Sequence, residues 1–348
     1  MPDPRRVFPE QIHMVSARCS ERRFFLKPCK ATTEIFSYAL ARALELTSVE
    51  LYALVVLSNH YHAMVGDPKA ELPKFTRLLN LLTSRALNAH YGRGERLWSS
   101  APYSNVEIHD EETLIRELVY LYTNPVKDGL VSSPEAWPGL HTTPEDMGVR
   151  TQLVKRPEYA LFGSTTPKFW VPPGGKSPSA YRRAVAEQLH ARERARAEGE
   201  RIRQPRTTLP AELPLEIKVP FLIEPKDREA FKRRVRIAVD LEVEEIHARR
   251  RAEGQTSFLG AAKIRALTWS DSAGDSFPTF GRNPRVASGN QDGERQSLLR
   301  GLKAWREAYR SALAEWRAGN RDVEFPLGAY SMRTLHHCNV ATEPILLG

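Results

Sequence analysis

The chain has 348 residues, 41% of them hydrophobic, with 51 Lys+Arg against 42 Asp+Glu and a formal net charge of +9. That length exceeds the usual single domain, so two domains are expected, and the apolar share is enough for a real core. No run approaches the roughly 18 apolar residues that cross a membrane, the opening Met1-Pro2-Asp3-Pro4-Arg5-Arg6 has no apolar signal stretch, and the three cysteines show no C-x-x-C spacing. These features indicate neither a disulfide framework nor a zinc ribbon, and they lead us to expect a cytoplasmic protein without a membrane partner.

Ile12 to Cys19 alternates as a first strand, followed by the polar turn Ser20-Glu21-Arg22-Arg23 and the short apolar run Phe24-Phe25-Leu26. Thr32 to Leu46 carries Ile35, Tyr38, Ala39 and Leu46 on a helical period. Leu51 to Leu57 is nearly continuous in apolar residues and reads as a buried strand, with Asn59 to Val65 as a second strand beside it. Leu72 to Tyr91 reads as a helix with Phe75, Leu78, Leu79, Leu82 and Ala86 inward and Lys74, Arg77 and Arg85 outward. Tyr91-Gly92-Arg93-Gly94 ends it, glycine being suited to a left-handed cap. Leu97-Trp98 and Tyr103 to Ile108 supply a further strand, and Glu111-Glu112 opens the next helix, where acidic residues are favoured. The order strand, helix, strand, strand, helix, strand, helix fits an α+β fold, a ferredoxin-like split βαβ with an antiparallel sheet.

Beyond Val131 the composition turns to Pro, Gly, Ser and Thr, and residues 141–176 are expected to be linker and loops after a first domain of residues 1–140. Residues 177–348 read as a basic, mainly helical extension. Ser179 to Arg203 is a strongly charged helix, Pro205 to Pro225 is punctuated by proline, and Asp227 to Arg251 is amphipathic. Leu298, Leu302, Trp305, Tyr309, Ala312 and Trp316 form the apolar stripe of a last helix. Residues 1–150 hold 17 Lys+Arg against 18 Asp+Glu and the remainder 34 against 24, so the positive excess lies late in the chain. Such a charge suits a polyanionic partner, and equally suits solvated helices. Walker loops, Gly-rich dinucleotide turns and nucleophile elbows do not occur in the sequence.

Two stretches concentrate chemistry-bearing side chains. His60 and His62 are two residues apart, so in a strand both leave one face while Tyr61 leaves the other. Such a pair can hold one divalent metal with open positions for substrate oxygen, or it can be a structural pair. On the helix that begins at Glu111, Leu114, Ile115, Leu118, Leu121 and Tyr122 fall into one apolar stripe. Tyr120 lies opposite, and Asn124 sits about 40° from it, with Thr113, Arg116 and Lys127 nearby. This assigns Tyr122 to the core and Tyr120 to function, while Pro125 biases Asn124 away from helical geometry.

His60-Tyr61-His62 resembles the HUH signature, and the run from Tyr120 through Asn124-Pro125-Val126-Lys127-Asp128-Gly129-Leu130-Val131 is similar to the Y-x-x-x-N-P-V-[RK]-x-G-L-V run of single-tyrosine HUH transposases, the REP-associated branch in particular. Between them Asn88 to Trp98 resembles that family's N-x-x-Y-G-R-x-G-x-L-[FW] segment, with Glu95 in place of its second glycine. The family usually has Met-Pro before Asn-His where this chain has Leu57-Ser58. The resemblance implies a transposase, an enzyme that cuts and rejoins single-stranded or hairpin DNA. Tyr120 would be its nucleophile, and Mg²⁺ or Mn²⁺ would be held by His60, His62 and Asn124. It also implies DNA contacts near the first strand and along the path to the tyrosine, for which Arg18, Arg22, Arg23, Arg85, Arg93, Arg96 and Lys127 are candidates. A replication initiator or relaxase of the same chemistry, and a non-catalytic DNA-binding regulator on the same fold, are the alternatives. Monomer and homodimer are both compatible with the sequence.

Overall fold

A computed structural model describes residues 6–101, 103–158, 160, 162, 209–273, 286–287 and 292–343. Its centre is a sheet built from β1 (Gln11–Arg18), β2 (Glu50–Val56), β3 (His60–Asp67) and β4 (Ser104–Ile108), in the order β2-β3-β1-β4. All three of these pairings are antiparallel, which is the ferredoxin-like arrangement expected from the element order. The histidine strand β3 is an inner strand, flanked by β2 and β1.

Helix α1 (Lys30–Glu45) follows β1, and α2 (Leu72–His90) follows β3. Both cover one face of the sheet, because Tyr61 on β3 meets Phe36 of α1 edge-on at 5.3 Å and donates its hydroxyl proton to Asn80 of α2. The start of α2 is fixed by the buried Asp67 carboxylate, which accepts from the backbone N–H groups of Glu71 and Leu72 at 2.7 and 2.8 Å. Helix α3 (Glu111–Lys127) covers the opposite face over β2 and β3. Its N-cap is Asp110, whose side chain accepts from the Thr113 N–H at 2.7 Å.

Backbone hydrogen bonds cross the expected boundary at residue 140. Residues 137–142 run along the free edge of β2, where the Val56 N–H donates to the Leu140 carbonyl and the Thr142 N–H to the Leu54 carbonyl, at 2.8 and 2.9 Å. The Trp137 indole adds a bond to the Val56 carbonyl at 3.0 Å. A stretch whose composition reads as loop is therefore consumed in satisfying an edge strand. It continues into β5 (Thr151–Lys155), paired antiparallel with β6 (Glu212–Glu216), and the side chains of Leu213 and Leu215 enter the core. Proline punctuation hid β6. Pro214 stands within it, tolerated because a two-stranded ribbon leaves each strand an edge.

Helix α4 (Arg228–Ala252) lies along α3 and buries Phe231, Val235, Val239 and Ile246. One core consequently runs from Ile12 to Ile264, and the extension belongs to the same hydrophobic body as the sheet. Helix α5 (Ala261–Ala266) follows, and Val286–Ala287 forms β7, parallel to the end of β4. On α6 (Asp292–Arg317) the expected stripe is present. Trp305 and Ala312 are buried with Phe325, Ala329 and Met332 in a second, small cluster that also takes in α7 (Tyr330–Leu335). The charged helix expected over Ser179 to Arg203 lies outside the described residues. Among the described residues no helix is long and apolar enough to cross a membrane.

Arg236 ties α4 to the segment after α3. Its guanidinium bonds both carboxylate oxygens of Glu145 and also reaches Glu135 at 2.7 Å. Hydrogen bonding from Arg236 holds the Glu145 carboxyl down at about 2. A carboxyl depressed on folding contributes stability above its unfolded value near 4.5 that is lost as pH falls towards 2. Arg236→Ala should lower stability at pH 7 by up to about 1 kcal/mol, the pair being partly exposed. Urea unfolding midpoints of the two proteins should converge between pH 4.5 and pH 2.

Candidate active site

Alternation along β3 sends His60 and His62 to the face covered by α3. The two imidazoles stand edge to face with centroids 4.9 Å apart. The ring of Tyr120, on α3, meets His62 edge-on at 5.5 Å. Tyr120 is 39% exposed and Tyr122 3%, as the helical angles of their positions require. Burial raises the Tyr120 phenol, as do the charges of Asp128 and Glu117, against the opposing effect of Arg18 and of a hydrogen bond from Asn124. The hydroxyl is therefore neutral at pH 7 and would have to lose its proton as it reacts.

Asn124 stays in the helix despite Pro125. The proline falls in the last turn, where its missing N–H costs a single bond, and both Pro125 and Val126 are buried. The amide consequently shares the face of Tyr120 and is 4% exposed. Its Oδ1 has no hydrogen-bond partner, and neither has Nδ1 of the buried His62. Two buried polar atoms without partners on facing elements are costly unless a ligand takes them.

His60 is oriented from behind, its Nδ1 lying 2.6 Å from the Asn59 side-chain oxygen. Burial, assisted by Arg18, lowers His62 to about 4, and burial also holds His60 well below the ordinary range. Both imidazoles are thus unprotonated at neutral pH, with lone pairs to offer. Two neutral imidazoles and one amide oxygen make three donor groups, a set that fits a six-coordinate Mg²⁺ or Mn²⁺ and would keep positions for substrate oxygen. Among the described residues no group of three His, Cys, Asp or Glu is placed to hold a metal, so the set depends on the amide.

The candidate DNA-contacting residues separate into groups. Arg18 pairs with His60 across β1 and β3, so their side chains share a face, and its charge acts on His60, His62, Tyr120 and Asp128. Lys127 places its ammonium 5.1 Å from the centre of the Tyr120 ring. Arg22 and the exposed Arg96 lie at the carboxyl end of β1, where the Ser20 hydroxyl bonds the Arg96 carbonyl. Arg85 is exposed on α2, on the far side of the sheet from the histidines. Arg93 and Arg23 are engaged elsewhere. The Arg93 guanidinium lies 3.9 Å above the Phe25 ring, and Arg23 bonds Glu21 and the Ser270 carbonyl. Trp98 is half-buried, meets Tyr61 edge-on and bonds the Asn80 carbonyl, in keeping with a packing role.

Sequence reasoning assigned nothing to Asn59 or Asp128. Asn59 adjoins the histidine pair, yet its bond to the Arg22 carbonyl follows only from the folded loop. Asp128 closes α3 and lies within reach of the Arg18 charge.

Two solved structures overlap part of this chain. One, a REP-associated tyrosine transposase bound to a REP hairpin, matches with 19% identity and a TM-score of 0.36 over 42% of this chain and 85% of its own. The other, from Deinococcus radiodurans and described as a transposase, matches with 17% identity and a TM-score of 0.26 over 34% of this chain and 95% of its own. No family model and no curated protein matches the sequence.

Gly129 ends α3 in the left-handed region at φ +69°, letting the Leu130 N–H reach back to the Pro125 carbonyl at 3.0 Å. A Cβ there would stand 2.7 Å from Nη1 of Arg250. Gly129→Ala should cost about 1–2 kcal/mol, read as a lowered melting temperature, while Gly94→Ala, whose Cβ would meet nothing within 4 Å, should not.

Proposed function

We propose that this protein is a single-strand DNA nuclease and strand transferase of the single-tyrosine HUH type, acting on hairpin-associated single strands. The observation that carries this reading is the meeting of Tyr120 with His62 across α3 and β3, beside the unpartnered Asn124 oxygen. The ordered sequence resemblance between residues 57 and 131 supports it.

In this mechanism the Tyr120 oxygen forms a bond to the scissile phosphorus and the bond from phosphorus to the 3′ oxygen breaks. The strand leaves as a 3′-hydroxyl carrying the proton the phenol gave up, and the 5′ phosphate stays on tyrosine. The number of phosphate ester bonds is unchanged, so a second 3′-hydroxyl can reverse the step on another strand without ATP. His60, His62 and Asn124 would hold Mg²⁺ or Mn²⁺, which supplies Lewis-acid polarisation of the phosphate when bound. Arg18 offers a fixed cation on the histidine face to the charge that builds on the non-bridging oxygens. The Asn124 amide and the Arg18 charge both favour the phenolate form of Tyr120 as the proton leaves. Lys127, against the same ring, supplies a further positive charge beside the attacking group.

Purified protein incubated with hairpin DNA and Mn²⁺ should yield a denaturant-resistant covalent adduct, absent with EDTA. Tyr120→Phe should abolish it, and Tyr122→Phe should retain it within a few-fold. Tight hairpin binding without any adduct would sink the enzymatic reading in favour of a binding protein. Arg18→Ala should slow adduct formation about 100-fold with hairpin affinity changed far less, as single-turnover rates and gel-shift titrations would report.

A further inference from the structure

Residues 268–273, contributed by the extension, lie against the loop that follows β1. The Phe24 N–H donates to the Asp271 carbonyl at 2.9 Å, the Ala273 N–H donates to the Arg22 carbonyl at 3.3 Å, and Arg23 pairs with Ser272 as an isolated antiparallel bridge. Nη1 of Arg23 donates to the Ser270 carbonyl at 2.5 Å. The ring of Trp269 stacks on Tyr91 at 5.4 Å and on Phe25 at 6.1 Å, with the Arg93 guanidinium 5.5 Å from its centre.

The loop needs such support. Glu21 and Arg22 both have φ of +53°, two successive side-chain-bearing residues in the left-handed region. Each costs about 1–2 kcal/mol, and such geometry persists only where the surroundings over-determine it.

What the loop carries is the Arg22 carbonyl, and a carbonyl can only accept. Of the two ends of the Asn59 amide, Nδ2 must therefore face it, at 3.4 Å. Oδ1 is thereby left facing His60, 2.6 Å from Nδ1. An oxygen acceptor at that position requires the proton of the neutral imidazole to sit on Nδ1, which leaves the Nε2 lone pair for a ligand. The extension is thus linked to the histidine through two groups, the Arg22 carbonyl and the Asn59 amide.

We propose that the segment 268–273 is a positioning strap for the active site, which by pinning the Arg22 carbonyl fixes the Asn59 amide and so selects the Nδ1–H tautomer of His60. Trp269 and Asn59 are positioning residues; neither needs to touch substrate. The proposal gives part of the extension a role in the same site, and for its consequences in catalysis it rests on the function proposed above.

The test uses the full-length protein labelled with ¹⁵N-histidine, with His60 assigned through the spectrum of His60→Gln. Two-bond ¹H–¹⁵N correlations should show wild-type His60 as the Nδ1–H tautomer. In Trp269→Ala, still folded by circular dichroism, the resonance should move towards the Nε2–H form that free imidazole prefers. Mn²⁺ affinity, read from the free-ion paramagnetic resonance signal, should fall about 10-fold or more. Trp269→Phe should restore both. Arg23→Ala, which removes the bond to the Ser270 carbonyl together with the exposed pair to Glu21, should shift both readouts in the same direction by less, with Glu21→Gln as the control for the pair, and it decides the matter if Trp269→Ala does not fold. An unchanged tautomer and Mn²⁺ affinity in the folded variants would overturn the strap. A wild-type protein that forms no adduct, yet whose His60 responds as described, would overturn the proposed function and leave the strap standing.

Discussion

The two-residue alternation of β3 is the constraint on which the rest of this molecule depends. It sends Tyr61 into the core, against Phe36 and Asn80, and thereby obliges His60 and His62 to stand together on the other face. A slip of one residue would bury two imidazoles under α1 and α2 and put a tyrosine where they now stand. The register is held from both sides. β1 pairs with β3 over eight positions and β2 over six, and the buried Tyr61 ring locks the face. Everything on α3 is then placed by how that helix lies on β2 and β3.

Much of this was legible in the amino-acid order because it is periodic. The strands and helices of the first 130 residues appear within a residue or two of where the apolar spacing put them, and helical angle alone separated the exposed Tyr120 from the buried Tyr122. What escaped was non-local. Residues 137–142 look like loop because their composition is loop-like, yet their backbone completes an edge. β6 was hidden by Pro214, which is disfavoured in strands in general but permitted in a ribbon. Arg93 read as an available cation, and only the arrival of Trp269 from far along the chain shows that it is held among rings. No local pattern could disclose that Asn59 answers to a carbonyl in another loop.

The charge distribution takes on a different meaning in the folded chain. The late positive excess suggested an accessory surface for polyanions, but part of it is spent internally: Arg236 on Glu135 and Glu145, Arg234 on Glu111, Lys218 on Glu50. In each case a cation of the extension meets a carboxylate of the sheet domain or of the segment after it. Attraction between a near-neutral first part and a basic later part thus helps dock α4, while the apolar stripe of Phe231, Val235, Val239 and Ile246 supplies the larger share.

The covered edge of β2 also has a consequence for synthesis. Strands β1 to β4 and the tyrosine helix leave the ribosome before residues 137–142, and well before Lys218, whose N–H bonds the Leu51 carbonyl on the same edge. Until those segments emerge, the nascent sheet presents a row of unpaired amides and carbonyls, a template to which another growing chain can add. The interval is lengthened by everything between residues 142 and 218, so the wait is set by the extension rather than by the sheet. The edge that the finished form closes thus finds its partners only late as the chain is made.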